Sequence, residues 1–270
     1  MKIFIDSADL EEIKEALSLG IIDGITTNPS LIKRALEKKK KIDMNNYLER
    51  ILKIAKGKPV SLEVIGTSYE EIIKETKFLY TRFNKISNNV YVKIPINTDL
   101  EENSKNKSFE ALKAIKKLSK GKIPINCTLI FTPEQALLAG KAGAKIVSIF
   151  VGRVDDSIRK SLKIKFKKKD YFPADGIKKG KEIFKENGFV SGIDLLKKCV
   201  DLIKKEKLKT EILAASIRNS KQFREADLAG ADIVTIPLSV LKELIKSSKT
   251  TEGMKDFKRD IIDEYKAIFQ

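Results

Sequence analysis

Short, nearly continuous apolar runs alternate along this chain with longer segments in which apolar residues recur every three or four positions. The first kind reads as parallel strands buried on both faces, the second as amphipathic helices. Strand-like runs fall at 2–5, 24–28, 60–64, 90–95, 123–131, 144–151, 211–216 and 233–237. Between them, Asp9 is placed to cap a helix with Leu10, Ile13 and Leu17 on one face, and Gly20 to stop it. Pro29 stands where the first turn of the next helix tolerates it, and that helix and a neighbour share 30–55. The lysine run 38–41 within them reads as a solvated corner. Ser68-Tyr69-Glu70-Glu71 is a capping-box pattern for a helix reaching about Phe83. Thr132-Pro133-Glu134-Gln135 opens another with a cap, an N1 proline and an acidic first turn. A polar loop over 98–107 precedes a helix at 108–118, and later helices are expected at 191–205, 219–228, 239–245 and 253–269. Eight strands alternating with helices predict an α/β fold, a TIM (β/α)8 barrel, as one domain over 1–270. The pattern changes over about 156–187, where lysines dominate. Phe172-Pro173-Ala174-Asp175-Gly176 is there a turn cluster, and a helix with Ile177, Ile183 and Phe184 on its apolar side is expected to follow.

Composition narrows the function. The residues are 42% hydrophobic and 34% charged, ordinary for a globular domain. A formal net charge of +17 favours anionic partners. Its lysines, however, are spread over nearly every helix, with no aromatic-interleaved basic motif. A basic nucleic-acid-binding protein is therefore only a remote alternative, and no nucleic acid is expected as partner. Cys127 and Cys199 suit a reducing compartment. The N-terminus turns polar too soon for a signal peptide, and no apolar run approaches spanning length, so a cytoplasmic protein without a membrane partner is expected. The chain has no histidine. Histidine-based metal sites and Ser-His triads are thereby excluded, and two distant cysteines do not make a zinc site. Proton transfer falls to carboxylates, lysine, tyrosine, cysteine or water.

The chemical anomaly is Lys93, set in Val90-Tyr91-Val92-Lys93-Ile94-Pro95. An ammonium moved from water into such a strand loses the hydration that favours its charged form, and a free amine is a nucleophile towards carbonyls. A bland alternative is a lysine whose head snorkels to solvent or pairs with a carboxylate. In a barrel the reactive face lies at the C-terminal strand ends, with inward side chains at every second position. Polar exceptions sit at those ends: Asp6, Thr26 and Asn28, Glu63, Lys93, Asn126 and Thr128, Ser148 with Phe150 before Arg153, and Ser216 before Arg218. Singly, Asn28 could cap a helix, Asp6 could form an Asx-turn, and Arg153 could pair with Asp155 or Asp156. Together they place a lysine, two carboxylates, several hydroxyl or amide groups and two arginines at one end of one fold.

Six motifs carry a family resemblance: Ile5-Asp6-Ser7-Ala8, Gly24-Ile25-Thr26-Thr27-Asn28-Pro29-Ser30-Leu31, Val92-Lys93-Ile94-Pro95, Asn126-Cys127-Thr128-Leu129-Ile130-Phe131, Phe150-Val151-Gly152-Arg153 and Ala214-Ala215-Ser216-Ile217-Arg218. With them the sequence resembles the transaldolase family, in its short microbial branch that includes fructose-6-phosphate aldolases. The resemblance implies a class I aldol enzyme of the pentose phosphate pathway, with sugar phosphates as partners and no metal or organic cofactor. It implies that Lys93 forms a Schiff base, that Asp6 takes the C4-hydroxyl proton, and that Glu63 and Thr128 hold a proton-relaying water. Asn28, Asn126 and Ser148, with Thr26 and Phe150 alongside, would contact the sugar; Arg153, Ser216 and Arg218 would hold its phosphate. Members that release free dihydroxyacetone tend to have glutamine and tyrosine where Glu63 and Phe150 stand, so the expectation is transfer of the three-carbon unit, with simple aldolase activity as the alternative. Short members assemble as homo-oligomers, often through the C-terminal helix. Against that branch, 156–187 reads as a basic insertion after strand six, and 97–107 also looks extended; a solvated lysine-rich excursion is the expectation for the former. Cys127, opposite in parity to Asn126 and Thr128, reads as packing.

Overall fold

The computed structural model describes residues 1–37, 43–100 and 109–269. Among the described residues ten strands form: β1 (Lys2–Asp6), β2 (Gly24–Thr26), β3 (Val60–Glu63), β4 (Val90–Pro95), β5 (Ile125–Ile130), β6 (Ile146–Phe150), β7 (Lys178–Lys179), β8 (Glu182–Ile183), β9 (Glu211–Ala215) and β10 (Ile233–Ile236). Eight of them close a barrel in the order β1-β10-β9-β6-β5-β4-β3-β2, every neighbouring pair parallel. Helices connect consecutive barrel strands, which is the (β/α)8 architecture.

Two-residue periodicity divides the apolar side chains into two cores. Ile5, Ile25, Val92, Cys127, Ile149 and Val234 belong to the large core shared with the surrounding helices. Phe4, Ile146, Leu213, Ala215 and Ile233 form a separate small cluster on the other face of the strands. That cluster fills the barrel interior. Gly24, in register with Phe4, is required there, because a Cβ would stand 2.5 Å from the Phe4 ring. Nearer the C-terminal strand ends the inward parity passes to polar residues, among them the buried Thr26, Ser61, Lys93, Asn126, Thr128, Ser148 and Thr235. Apolar packing does not explain such a layer, since a buried polar group costs free energy unless it is hydrogen-bonded.

The helix starts follow the expected capping chemistry. Asp9, Ser68 and Thr132 cap helices, Ser68 within a complete capping box, and Asn28 caps Pro29–Leu36 by accepting from the Leu31 N–H. Two expectations fail. The helix after the Phe172–Gly176 turns is instead the antiparallel hairpin β7/β8, pairing Lys178 with Ile183 and Lys179 with Glu182. Gly180 takes φ +67° in its two-residue loop, a conformation that suits a tight hairpin and breaks a helix. Phe184 N–H donates to Ile177 C=O at 2.9 Å and extends the ladder, so the helix-like spacing of these apolar residues serves a hairpin. The single terminal helix expected at 253–269 is instead Ser248–Arg259 and Asp263–Lys266, with extended backbone at Ile262 between them, followed by a 3-10 turn at Ala267–Phe269. The segment 156–187 also begins inside a helix, Val151–Ser161, which follows β6 directly. The lysine run 38–41 and residues 101–108 of the expected polar segment lie outside the described residues. Among the described residues no helix is long and apolar enough to cross a membrane.

Candidate active site

Lys93 is 5% exposed. Register puts Glu63 of β3 on one side of it and Asn126 of β5 on the other. Its Nζ lies 3.1 Å from Glu63 Oε2 and 3.4 Å from the Thr27 carbonyl oxygen. The lysine is thus buried but paired: Glu63 Oε2 has no aligned hydrogen bond among the described residues, and its link to Lys93 is a charge contact. A carboxylate in contact is also the nearest acceptor for the proton that the ammonium must lose before it can act as a nucleophile.

Asp6, at the end of β1, accepts from the Thr26 hydroxyl at 2.7 Å, and Thr26 in turn meets the Thr235 hydroxyl of β10. Loss of hydration raises the Asp6 carboxyl above its ordinary range, partly offset by the Thr26 hydrogen bond and the Lys93 charge. On the opposite wall Ser148 donates to Asn126 Oδ1 at 2.7 Å and Asn126 Nδ2 donates to Ser61 Oγ at 3.1 Å, which fixes the Asn126 amide. The buried Thr128 hydroxyl has no hydrogen-bond partner among the described residues. Immediately after it the β5–β6 register shifts between Cys127 and Ile130, and Leu129 takes φ +58°, a bulge of the kind that redirects side chains near sites. Phe150 closes this end: its ring centroid is 6.0 Å from Lys93 Nζ and 4.9 Å from the Arg153 guanidinium, and Phe131 packs on it at 5.7 Å.

Arg218 forms a two-point ion pair with Asp156, at 2.5 and 2.7 Å. The loop carrying it is tightly specified. Ser216 has φ +61°, and the Arg218 N–H donates to Gln222 Oε1 at 2.9 Å. Gln222 Nε2 donates to Asp155 Oδ2, and Asp155 Oδ1 accepts from the Gly192 N–H, both at 2.7 Å. Burial pushes the Asp155 carboxyl up to about 6 despite these donors. A Cβ on Gly152 would stand 2.3 Å from the Ser216 carbonyl oxygen, so helix start and loop approach as only glycine allows.

Asp6, Thr26, Asn28, Lys93, Ser148, Phe150, Arg153, Ser216 and Arg218 line one cavity of about 180 Å³. Glu63 reaches it through Lys93, and Asn126 through Ser148. Thr128, buried on β5, is not among the residues that line it. Arg153 meets Phe150, and neither Asp155 nor Asp156 is its ion-pair partner. Sequence reading missed Thr235, Ser61, Gln222 and the Asp156 partner of Arg218. Thr235 was open to discovery, as a polar residue inside Ile233–Ile236 on the parity of the site. Cys127 lies in the outer core with its thiol pushed up by burial, and Cys199 is likewise buried and pushed up to about 12. Among the described residues no group of three or more His, Cys, Asp or Glu could hold a metal.

A parallel barrel whose mouth gathers a buried lysine, two carboxylates and two arginines has the makings of an enzyme site, and in class this is an enzyme of the aldolase/transaldolase kind. The family model described as transaldolase/fructose-6-phosphate aldolase matches residues 3–269, and the chain belongs to that family. It is 41% identical over 260 residues to a probable transaldolase of Thermoplasma volcanium, covering 96% of this chain and 95% of that one. A probable transaldolase of Thermoplasma acidophilum is 39% identical over 261 residues, with the same coverage. The crystal structure of 2,3-dimethylmalate lyase matches in fold alone, with a TM-score of 0.51 at 12% identity over 97% of this chain and 84% of that one.

Proposed function

We propose that the protein is a transaldolase, moving a dihydroxyacetone unit from sedoheptulose 7-phosphate to glyceraldehyde 3-phosphate to give erythrose 4-phosphate and fructose 6-phosphate, in the pentose phosphate pathway. Lys93 gives up a proton towards Glu63, and its Nζ attacks the ketose C2 carbonyl. Water leaves and a protonated imine forms. Asp6 takes the proton of the C4 hydroxyl, the C3–C4 bond breaks with release of the first aldehyde, and the electron pair passes into the imine as an enamine. Its C3 then attacks the acceptor aldehyde, Asp6 returns the proton to the new hydroxyl, and hydrolysis frees Lys93. The raised Asp6 carboxyl makes a stronger base than an ordinary carboxylate, which suits this step. The buried, otherwise unpartnered Thr128 hydroxyl fits a water shared with Glu63. Thr26 orients Asp6, Asn28, Asn126 and Ser148 meet the sugar hydroxyls, and Arg153, Ser216 and Arg218 hold the phosphate.

The observation that carries this reading is the contact of Lys93 with Glu63 beside a cavity that also contains Asp6 and ends on two arginines. The similarity to probable transaldolases favours transfer, as do Glu63 and Phe150 in place of the glutamine and tyrosine tied to dihydroxyacetone release. The second reading is a fructose-6-phosphate aldolase, the other activity in the family description. Borohydride reduction in the presence of fructose 6-phosphate, with and without an acceptor aldehyde, tests both. A reduced adduct mapped by mass spectrometry to Lys93, absent from Lys93→Ala and discharged by acceptor, is expected; an adduct on another lysine overturns the mechanism. Free dihydroxyacetone produced at the same rate without acceptor supports the second reading.

A further inference from the structure

A second cavity of about 610 Å³ lies outside the first, against the helix Val151–Ser161 and the segment that follows it. Among the described residues three line both cavities: Arg153, Lys168 and Arg218. The boundary between the catalytic cavity and this vestibule is therefore a ring of three cations. They are not equivalent. Arg218 is held by Asp156 on two points, and Arg153 lies over the Phe150 ring. Neither Arg153 nor Lys168 has a carboxylate within ion-pair distance among the described residues. The vestibule adds the cation of Lys160 and the acid Glu186, which is already occupied by the hydroxyls of Ser157 and Ser161.

Lys168 reaches this ring because its loop is fastened on both sides. Arg159 is buried with its guanidinium over the Phe166 and Phe172 rings, 5.0 Å from each, and donates to the Asp170 carbonyl at 2.7 Å. From the barrel side Arg218 Nη1 reaches the Lys168 carbonyl at 3.4 Å and Asn219 Nδ2 donates to the Lys169 carbonyl at 3.3 Å. Tyr171 adds a hydrogen bond to Glu225. The basic stretch after β6 keeps its lysines exposed, as its composition suggested, and one of them, Lys168, also lines the catalytic cavity.

We propose that Lys168 is a specificity-determining residue that selects phosphorylated sugars, adding to Arg153 and the Asp156-paired Arg218 a further charge at the phosphate end of the cavity. This rests on the reading of the cavity as a sugar-phosphate site. A phosphate at the ring would face Arg153 and Lys168 as unneutralised cations, and a compact ammonium on a long stem can follow the phosphate of sugars differing in length. Calorimetric titration with inorganic phosphate, which needs no turnover, tests the proposal on wild type, Lys168→Gln and, as a control from the same stretch, Lys165→Gln. Weakening of at least about tenfold in Lys168→Gln alone, with most of the affinity restored in Lys168→Arg, is expected from loss of one charge-assisted contact. Turnover gives a second readout: KM for fructose 6-phosphate should rise by a similar factor in Lys168→Gln while KM for unphosphorylated fructose stays within twofold. Equal phosphate affinity in the two Gln variants, or a parallel rise of both KM values, overturns the proposal. Absence of any Lys93 adduct in wild type overturns the catalytic reading instead, and the phosphate titration still decides the role of Lys168.

Discussion

Asp6, half-buried, and Asp155, fully buried, are acids under opposite demands. Asp6 lines the cavity beside a hydroxyl and a lysine, whereas Asp155 is closed inside the protein, tying the N-terminus of Gly192–Lys205 to Gln222. Its carboxyl is raised from an ordinary 3.8 to about 6, so folding takes up a proton between those values. The sign follows from linkage: stability from this group is complete below about pH 4 and is lost as pH rises through about 6. In Asp155→Asn that dependence disappears. The difference in unfolding free energy, wild type minus variant, should therefore fall by about 2–3 kcal/mol from pH 4 to pH 7 in denaturant titrations; a constant difference would show that Asp155 titrates normally. Legibility at this scale depends on context. Lys93 stands out because a charge inside a strand buried on both faces has few explanations, and the same logic reaches Thr235. Asp156 does not stand out, because its value lies in meeting Arg218, which is 62 residues away in the chain.

At the scale of elements, the barrel strands were readable to within a few residues because each holds a short run of mostly apolar residues bounded by turn or cap residues. The arm after Val151–Ser161 was not. Its conformation comes from Arg159 clamping aromatic rings and from glycines at positive φ, features without periodicity. Gly152 shows how closely elements meet near the site. Gly152→Ala places a methyl against the Ser216 carbonyl and the Arg218 guanidinium, and backbone cannot give way as a flexible side chain can. The expected cost is about 1–3 kcal/mol of stability. Because the displaced atoms lie in the loop proposed to hold phosphate, KM for fructose 6-phosphate should rise more than KM for fructose. Equal kinetics in wild type and variant would show that the loop absorbs the methyl without moving Arg218.

For the whole molecule, the division of labour is between an apolar plug low in the barrel and a polar layer above it, with the helices burying the remaining strand faces. One part stands apart from this scheme. Ser248–Arg259 carries no buried residue, and Met254, Phe257, Ile262, Tyr265, Ile268 and Phe269 are all more than half exposed. Large apolar side chains left exposed close together along the chain mark an interface more often than free solvent-facing chain. Short members of the family often assemble through the C-terminal helix, and we propose a homo-oligomer in which these residues pack on a second copy. Extended backbone at Ile262 separates the last short helix from the preceding one. Size-exclusion chromatography with light scattering should give a mass that is a multiple of 30.4 kDa. The pair Phe257→Lys and Ile262→Lys should reduce it towards one chain while circular dichroism keeps the barrel signal. A monomeric wild type at micromolar concentration would leave this apolar end without a partner copy and remove the assignment.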